Sequence, residues 1–121
     1  MKLREIKDIL KAELIWGESH LDDAIQSAGG SDLMSDVLAM GQPGILLLTG
    51  LTNSQSVRTA DIIEAKAIVY VRGKRPDAAG IKLAREMDIP LLTTKFMMFT
   101  ACGLLWQHHL PAVDGMSSKK Q

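Results

Sequence analysis

The chain has 121 residues, 46% hydrophobic and 23% charged, and its 14 basic and 14 acidic side chains give a formal net charge of zero. Those proportions describe one soluble globular domain with a single core. The neutral balance argues against a dedicated nucleic-acid binder, which draws on a basic excess, and aromatics at 4% supply few stacking platforms for bases.

One cysteine, Cys102, leaves no internal disulfide to form and suits a reducing compartment. Met1-Lys2-Leu3-Arg4-Glu5 has no signal-peptide apolar region. Thr100, Cys102 and Gly103 interrupt the apolar stretch from Phe96 to Trp106, which falls short of the ~18 residues of a membrane span. The expectation is a cytoplasmic protein.

Leu3, Ile6, Ile9 and Leu10 recur at helical spacing and predict a first helix over 2–10. Glu13 to Gly17 reads as a short strand and Gly17 to His20 as a turn. Leu21 to Ala28 fits strand or helix, with strand preferred after Asp23 and a break at Gly29-Gly30. Ser31 or Asp32 is placed to cap a helix to Met40 with Leu33, Val37 and Met40 on one face. Gly41-Gln42-Pro43-Gly44 stops it.

From Gly44 to Leu105 an apolar strand, a turn of small or polar residues and a helix recur three times. The strands are Ile45–Leu48, Ala67–Val71 and Ile89–Leu92. The first helix opens at Asn53 or Ser54 and buries Val57, Ala60, Ile63 and Ile62. The second opens at Pro76 and buries Ala79, Leu83 and Met87. The third opens at Thr94 or Lys95 and runs to His108. Strands joined by helical crossovers predict an α/β fold of three layers around a mainly parallel sheet. The domain is expected over 1–110, with a flexible tail over 111–121.

Parallel sheets bear their ligands at the strand C-terminal ends. Here those ends carry Thr49, Gly50, Thr52 and Asn53, then Arg72, Gly73, Lys74 and Arg75, then Thr93, Thr94 and Lys95. Arg58 stands one helical turn into the first unit. Converging cations, hydroxyls and helix N-termini suit a phosphate- or carboxylate-bearing small molecule; the competing reading is a solvated rim of charged loops. No Gly-rich phosphate loop, dinucleotide fingerprint or nucleophile elbow is present.

Other groups have plainer readings. Cys102 lies among apolar neighbours, as a buried inert thiol does. His108 and His109 can serve the last carbonyls of their helix. His20, remote from them, makes no metal set, and Glu18 with Asp22 and Asp23 reads as an acidic turn. Asp77 suits a helix start, while Asp61 and Glu64 suit a solvent-facing surface and offer no general base. Gly29-Gly30-Ser31-Asp32 could offer backbone N–H groups to an anion, but such a pair is more often a turn and cap. The last helix is apolar on several sides through Phe96, Met97, Met98, Phe99, Leu104, Leu105 and Trp106. One face covers the sheet; the other predicts a homodimer interface, unless a loop or the first helix covers it.

Leu47-Leu48-Thr49-Gly50-Leu51-Thr52-Asn53, Val69-Tyr70-Val71-Arg72-Gly73-Lys74-Arg75-Pro76 and Ala84 to Thr94 with Ile89-Pro90 stand where the DRTGG domain family has its two glycine turns and its Ile/Val-Pro strand. The chain resembles that family most in Gly50, Gly73, Pro76 and the run Ile89 to Thr94. It departs where the family's Asp-Arg becomes Leu51-Thr52 or Thr52-Asn53, and where a second glycine becomes Lys74. The resemblance implies a fold similar to the N-terminal domain of HPr kinase/phosphorylase. It also implies a regulatory or accessory module without catalysis or cofactor, and a possible protein partner in anaerobic metabolism. The resulting expectation is a non-catalytic module binding an anionic metabolite or nucleotide, with no nucleic-acid or membrane partner. The alternative is a purely structural, dimerising interaction module. An enzyme would have only Lys95, Thr94 and Arg72 as its polar cluster.

Overall fold

The computed structural model describes residues 1–119. Five helices and five strands follow one another as α1 (Leu3–Ile9), β1 (Glu13–Trp16), β2 (Ser27–Gly30), α2 (Met34–Leu38), β3 (Ile45–Thr49), α3 (Ser54–Ile62), β4 (Ala67–Tyr70), α4 (Ala78–Met87), β5 (Leu91–Thr93) and α5 (Met98–Gln107). One sheet has the order β1-β5-β4-β3-β2. β2 to β5 run parallel, and β1 closes the β5 margin antiparallel. This is the expected three-layer, mainly parallel α/β architecture.

The strands read as continuous apolar runs because both sheet faces are covered. Leu46, Leu48, Val69 and Leu92 pack with Leu3, Ile6, Leu10, Ala101 and Leu105, so α1 and α5 form one outer layer. The alternate residues Ile45, Leu47, Ile68, Tyr70 and Leu91 pack with Met34, Val37, Val57, Ala60 and Ala84 of α2, α3 and α4. Tyr70 is fully buried, and its hydroxyl is satisfied by Ser56 Oγ at 3.0 Å. Burial pushes the phenol's pKa up, against that hydrogen bond.

Several boundaries differ from expectation. Gly29 and Gly30 extend β2 rather than breaking it. A Cβ on Gly29 would meet Met40 Sδ at 2.8 Å, and one on Gly30 would meet Met98 Sδ at 2.8 Å. The missing side chains admit neighbours from outside the strand, which is the usual meaning of glycine inside a sheet. α2 begins at Met34 with Leu33 in the cap position, so neither Ser31 nor Asp32 caps it, and Leu33 is 59% exposed. β5 starts at Leu91 because Pro90 has no N–H for the ladder.

α4 is capped by Asp77, whose carboxylate accepts from Gly80 N at 2.8 Å, so Pro76 lies just outside the helix. Its buried positions are Gly80 and Ala84; Ala79 is exposed. Ile62 is 68% exposed, because α3 turns Val57 and Ala60 to the sheet. The last helix starts at Met98, since residues 94–96 are drawn into other bonds. Arg72 N donates to Phe96 O and Gly73 N to Thr94 O, each at 2.8 Å.

Beyond α5 the chain does not leave the domain at 111. Ala28 N donates to Pro111 O at 2.9 Å and Val113 N to Ala28 O at 3.1 Å, covering part of the outer edge of β2. The free backbone groups of an edge strand supply the reason. Residues 120 and 121 of the expected tail lie outside the described residues. Among the described residues no helix is long and apolar enough to cross a membrane.

Candidate functional site

The strand C-terminal edge is where the expected residues collect, in two separate places. A cleft of about 590 Å³ opens between the β5 end, the β4–α4 turn and the start of β1. Gly73, Arg75, Thr93, Thr94 and Lys95 line it, together with Leu10, Lys11, Glu13 and Phe96. Phe96 follows the β5 turn, while Leu10, Lys11 and Glu13 come from the α1–β1 segment, which the strand-turn pattern does not mark. These three reach the cleft because β1 runs antiparallel, so its first residues stand beside the last residues of β5: Glu13 pairs with Thr93.

The two threonines set the geometry of the loops. Thr93 Oγ1 donates to Lys74 O at 2.6 Å, fixing the β4–α4 turn. Thr94 Oγ1, buried, donates to Leu10 O at 2.7 Å and accepts from Phe96 N at 3.3 Å, joining the end of α1 to the end of β5. Their hydroxyl protons are thus committed inside the protein. Arg75 forms an ion pair with Glu13 across the mouth. Lys11 and Lys95 are exposed and have no ion-pair partner among the described residues. The cleft therefore offers three cations against one carboxylate, with the half-buried Phe96 ring as its apolar floor and Leu10 fully buried beneath it. Such a surface takes an anion attached to an apolar or planar body.

The other place is the end of β3. Thr49 Oγ1 donates to Asp32 Oδ1 at 3.2 Å, Gly50 N donates to the same oxygen, and Arg72 Nη2 stands 4.0 Å from Asp32 Oδ2. Arg72 thus turns away from the cleft. Thr52 and Asn53 join neither group: Thr52 O packs near Gly80, and Asn53 precedes α3 without a side-chain bond to it. Lys74 contributes its carbonyl to Thr93, and Arg58 is exposed on α3.

The remaining groups are disposed elsewhere. Cys102 is half-buried, and burial raises its thiol pKa, which disfavours the reactive thiolate. His108 Nδ1 lies 2.8 Å from Leu104 O near the end of α5. His20 sits at the opposite sheet edge between Asp23 and Asp88, at 2.7 and 2.8 Å. Its pKa is raised above 6.5 by its hydrogen bond to Asp88 and then by that to Asp23, against partial burial.

No protein-family model matches the chain, and no curated protein matches it. Solved structures do. One is the crystal structure of the CBS and DRTGG domains of the regulatory region of Clostridium perfringens pyrophosphatase, complexed with its activator, diadenosine tetraphosphate. The TM-score is 0.65 and the identity 19%, over 96% of this chain and 50% of that one. This chain thus spans half the length of its neighbour. A likeness at that identity is one of fold, and the fold of this chain is similar to that of about half of the neighbour.

Proposed function

We propose that this protein is a non-catalytic regulatory module related to the DRTGG domains, and that it binds an anionic small molecule in the cleft between β1 and β5. A nucleotide is the favoured class. The observation that carries this reading is the cleft itself: Lys11, Arg75 and Lys95 surround an apolar floor that includes the Phe96 ring. Phosphate oxygens would meet the cations, and a base would lie on the Phe96 ring. A neighbour of shared fold that is a regulatory region complexed with a nucleotide activator supports the same direction. In this reading the protein acts in the cytoplasm as an accessory component, without a cofactor.

Isothermal titration with diadenosine tetraphosphate, ATP and AMP at fixed ionic strength tests it. We expect saturable binding to the wild type, weakened about tenfold in Lys95→Ala and in Arg75→Ala. Undiminished binding in both variants would move the site elsewhere, and no binding across the three nucleotides would remove the nucleotide class.

The second reading is a structural interaction module. It is favoured by α5, whose outer face leaves Phe99 91% and Trp106 40% exposed, with Met97 just before the helix 63% exposed. A homodimer through this face is compatible with either reading.

A further inference from the structure

The Asp32 contact at the end of β3 is unusual in what it brings together. An amide (Gly50 N), a hydroxyl (Thr49 Oγ1) and a guanidinium (Arg72) converge on one carboxylate. The amide and the hydroxyl come from the strand end and the guanidinium, at ion-pair distance, from the turn after β4; Thr49 and Arg72 are each anchored by a bond that does not involve Asp32. Thr49 is fully buried, and its Oγ1 accepts from Leu51 N at 3.1 Å. The Arg72 backbone is fixed at φ 61° with its N–H on Phe96 O. Gly50 leaves room for the guanidinium, since a Cβ there would stand 2.6 Å from Arg72 Nη2.

Asp32 itself is less firmly built in. It belongs to the loop between β2 and α2, it does not cap α2, and that helix has only 5 residues. Its carboxylate supplies the negative charge that the strand end is arranged to receive. An N–H at a strand's C-terminal end, a hydroxyl and an arginine aimed at one point form a receptor for an oxyanion.

We propose that the end of β3 is an oxyanion seat occupied from within by Asp32, and that a phosphoryl-bearing ligand binds there by displacing this carboxylate. The inference rests on reading this sheet edge as the ligand-bearing one, but it does not depend on the β1–β5 cleft. An internal occupant lowers apparent affinity in proportion to the time it fills the seat. A carboxylate bound for 90–99% of the time would weaken an external anion about 10- to 100-fold. Removing the carboxylate should therefore strengthen binding, whereas deleting a residue that contacts the ligand would weaken it.

The experiment is a backbone-amide NMR titration with inorganic phosphate, and separately with AMP, at constant ionic strength. It compares the wild type, Asp32→Ala, Asp32→Asn and the double variant Asp32→Ala/Arg72→Ala. We expect Asp32→Ala to bind phosphate at least about tenfold more tightly than the wild type, with Gly50 N–H among the most shifted amides. The double variant should lose that gain. Asp32→Asn keeps an acceptor for Thr49 and Gly50 while dropping the charge. It should show a smaller gain, and it decides the matter if the alanine variant fails to fold. Tighter binding of AMP than of phosphate at Gly50 would assign the seat to an esterified phosphoryl group, and equal binding to the free anion.

The proposal is overturned if the Gly50 amide is unmoved in the single variants, or if its shift survives loss of Arg72. Shifts at Lys95 and Phe96 without Gly50 would overturn the seat and leave the cleft standing. Shifts at Gly50 alone would support the seat and count against the cleft.

Discussion

Gly17 shows how one position constrains the chain. It adopts φ +105°, and a Cβ there would lie 2.5 Å from Pro90 Cβ and 2.8 Å from Pro90 Cα. Strain and collision act together, and the backbone atom cannot swing aside. Gly17→Ala should lose roughly 2–3 kcal/mol. Gly73, at φ +67° with nothing within 4 Å of its missing Cβ, meets the conformational penalty alone, and Gly73→Ala should lose about 1–2 kcal/mol. Urea denaturation of both variants checks the ordering, and equal losses would mean that the Pro90 contact contributes nothing. At this scale the candidate cleft is partly legible in the sequence. Gly73, Arg75, Thr93, Thr94 and Lys95 stand out by their places after apolar strands, and the structure gathers them in one cleft. Lys11 and Glu13 do not, because their position depends on which strand β1 pairs with and in which direction. That choice is made by distant residues and leaves no mark on Lys11 or Glu13. Asp32 is hidden for a related reason: a carboxylate before a helix looks like a cap, and nothing local announces a donor set on another strand.

Between elements, the tie from the β1–β2 linker to the end of α4 has a direction in pH. The His20 ring lies between Asp88, a left-handed residue that ends α4, and Asp23. Because its folded-state pKa is raised above 6.5, the folded protein holds the proton more tightly than the unfolded chain does. The stabilisation is fully present below about pH 6.5 and disappears as the pH rises through the folded-state value. Melting temperatures measured from about pH 6 to about pH 8 should fall more for the wild type than for His20→Gln. Parallel curves would show that the tie carries no proton-linked stability. Elements are legible wherever an apolar run is bounded by turn residues, as at Ile45–Thr49 and Ala67–Tyr70. They are less legible where tertiary contacts override local preference. Gly29 and Gly30 look like a break but act as the bare part of an edge strand. Thr94 and Lys95 look like a helix start, but hydrogen bonds to neighbouring turns hold the segment out of the helix.

For the molecule as a whole, α5 sets the prediction about assembly. Met98–Gln107 contains no charged residue, so two copies could meet across a twofold axis without like charges opposed. Phe99→Glu and Trp106→Glu should each convert a dimer to a soluble monomer with an unchanged fold. Sedimentation of a wild type that is already monomeric, or of variants that keep its mass, would discard this interface. The Thr94–Leu10 bond has a separate implication. Its partners are 84 positions apart in sequence, so joining them closes a loop that takes in most of the chain, at a considerable loss of chain freedom. A molecule lodged in the adjoining cleft would act as a reversible staple across that closure. Its arrival would slow deuterium uptake throughout β1, whose peptide groups it need not touch, so occupancy would become a mechanical property of the sheet margin that a partner protein could read.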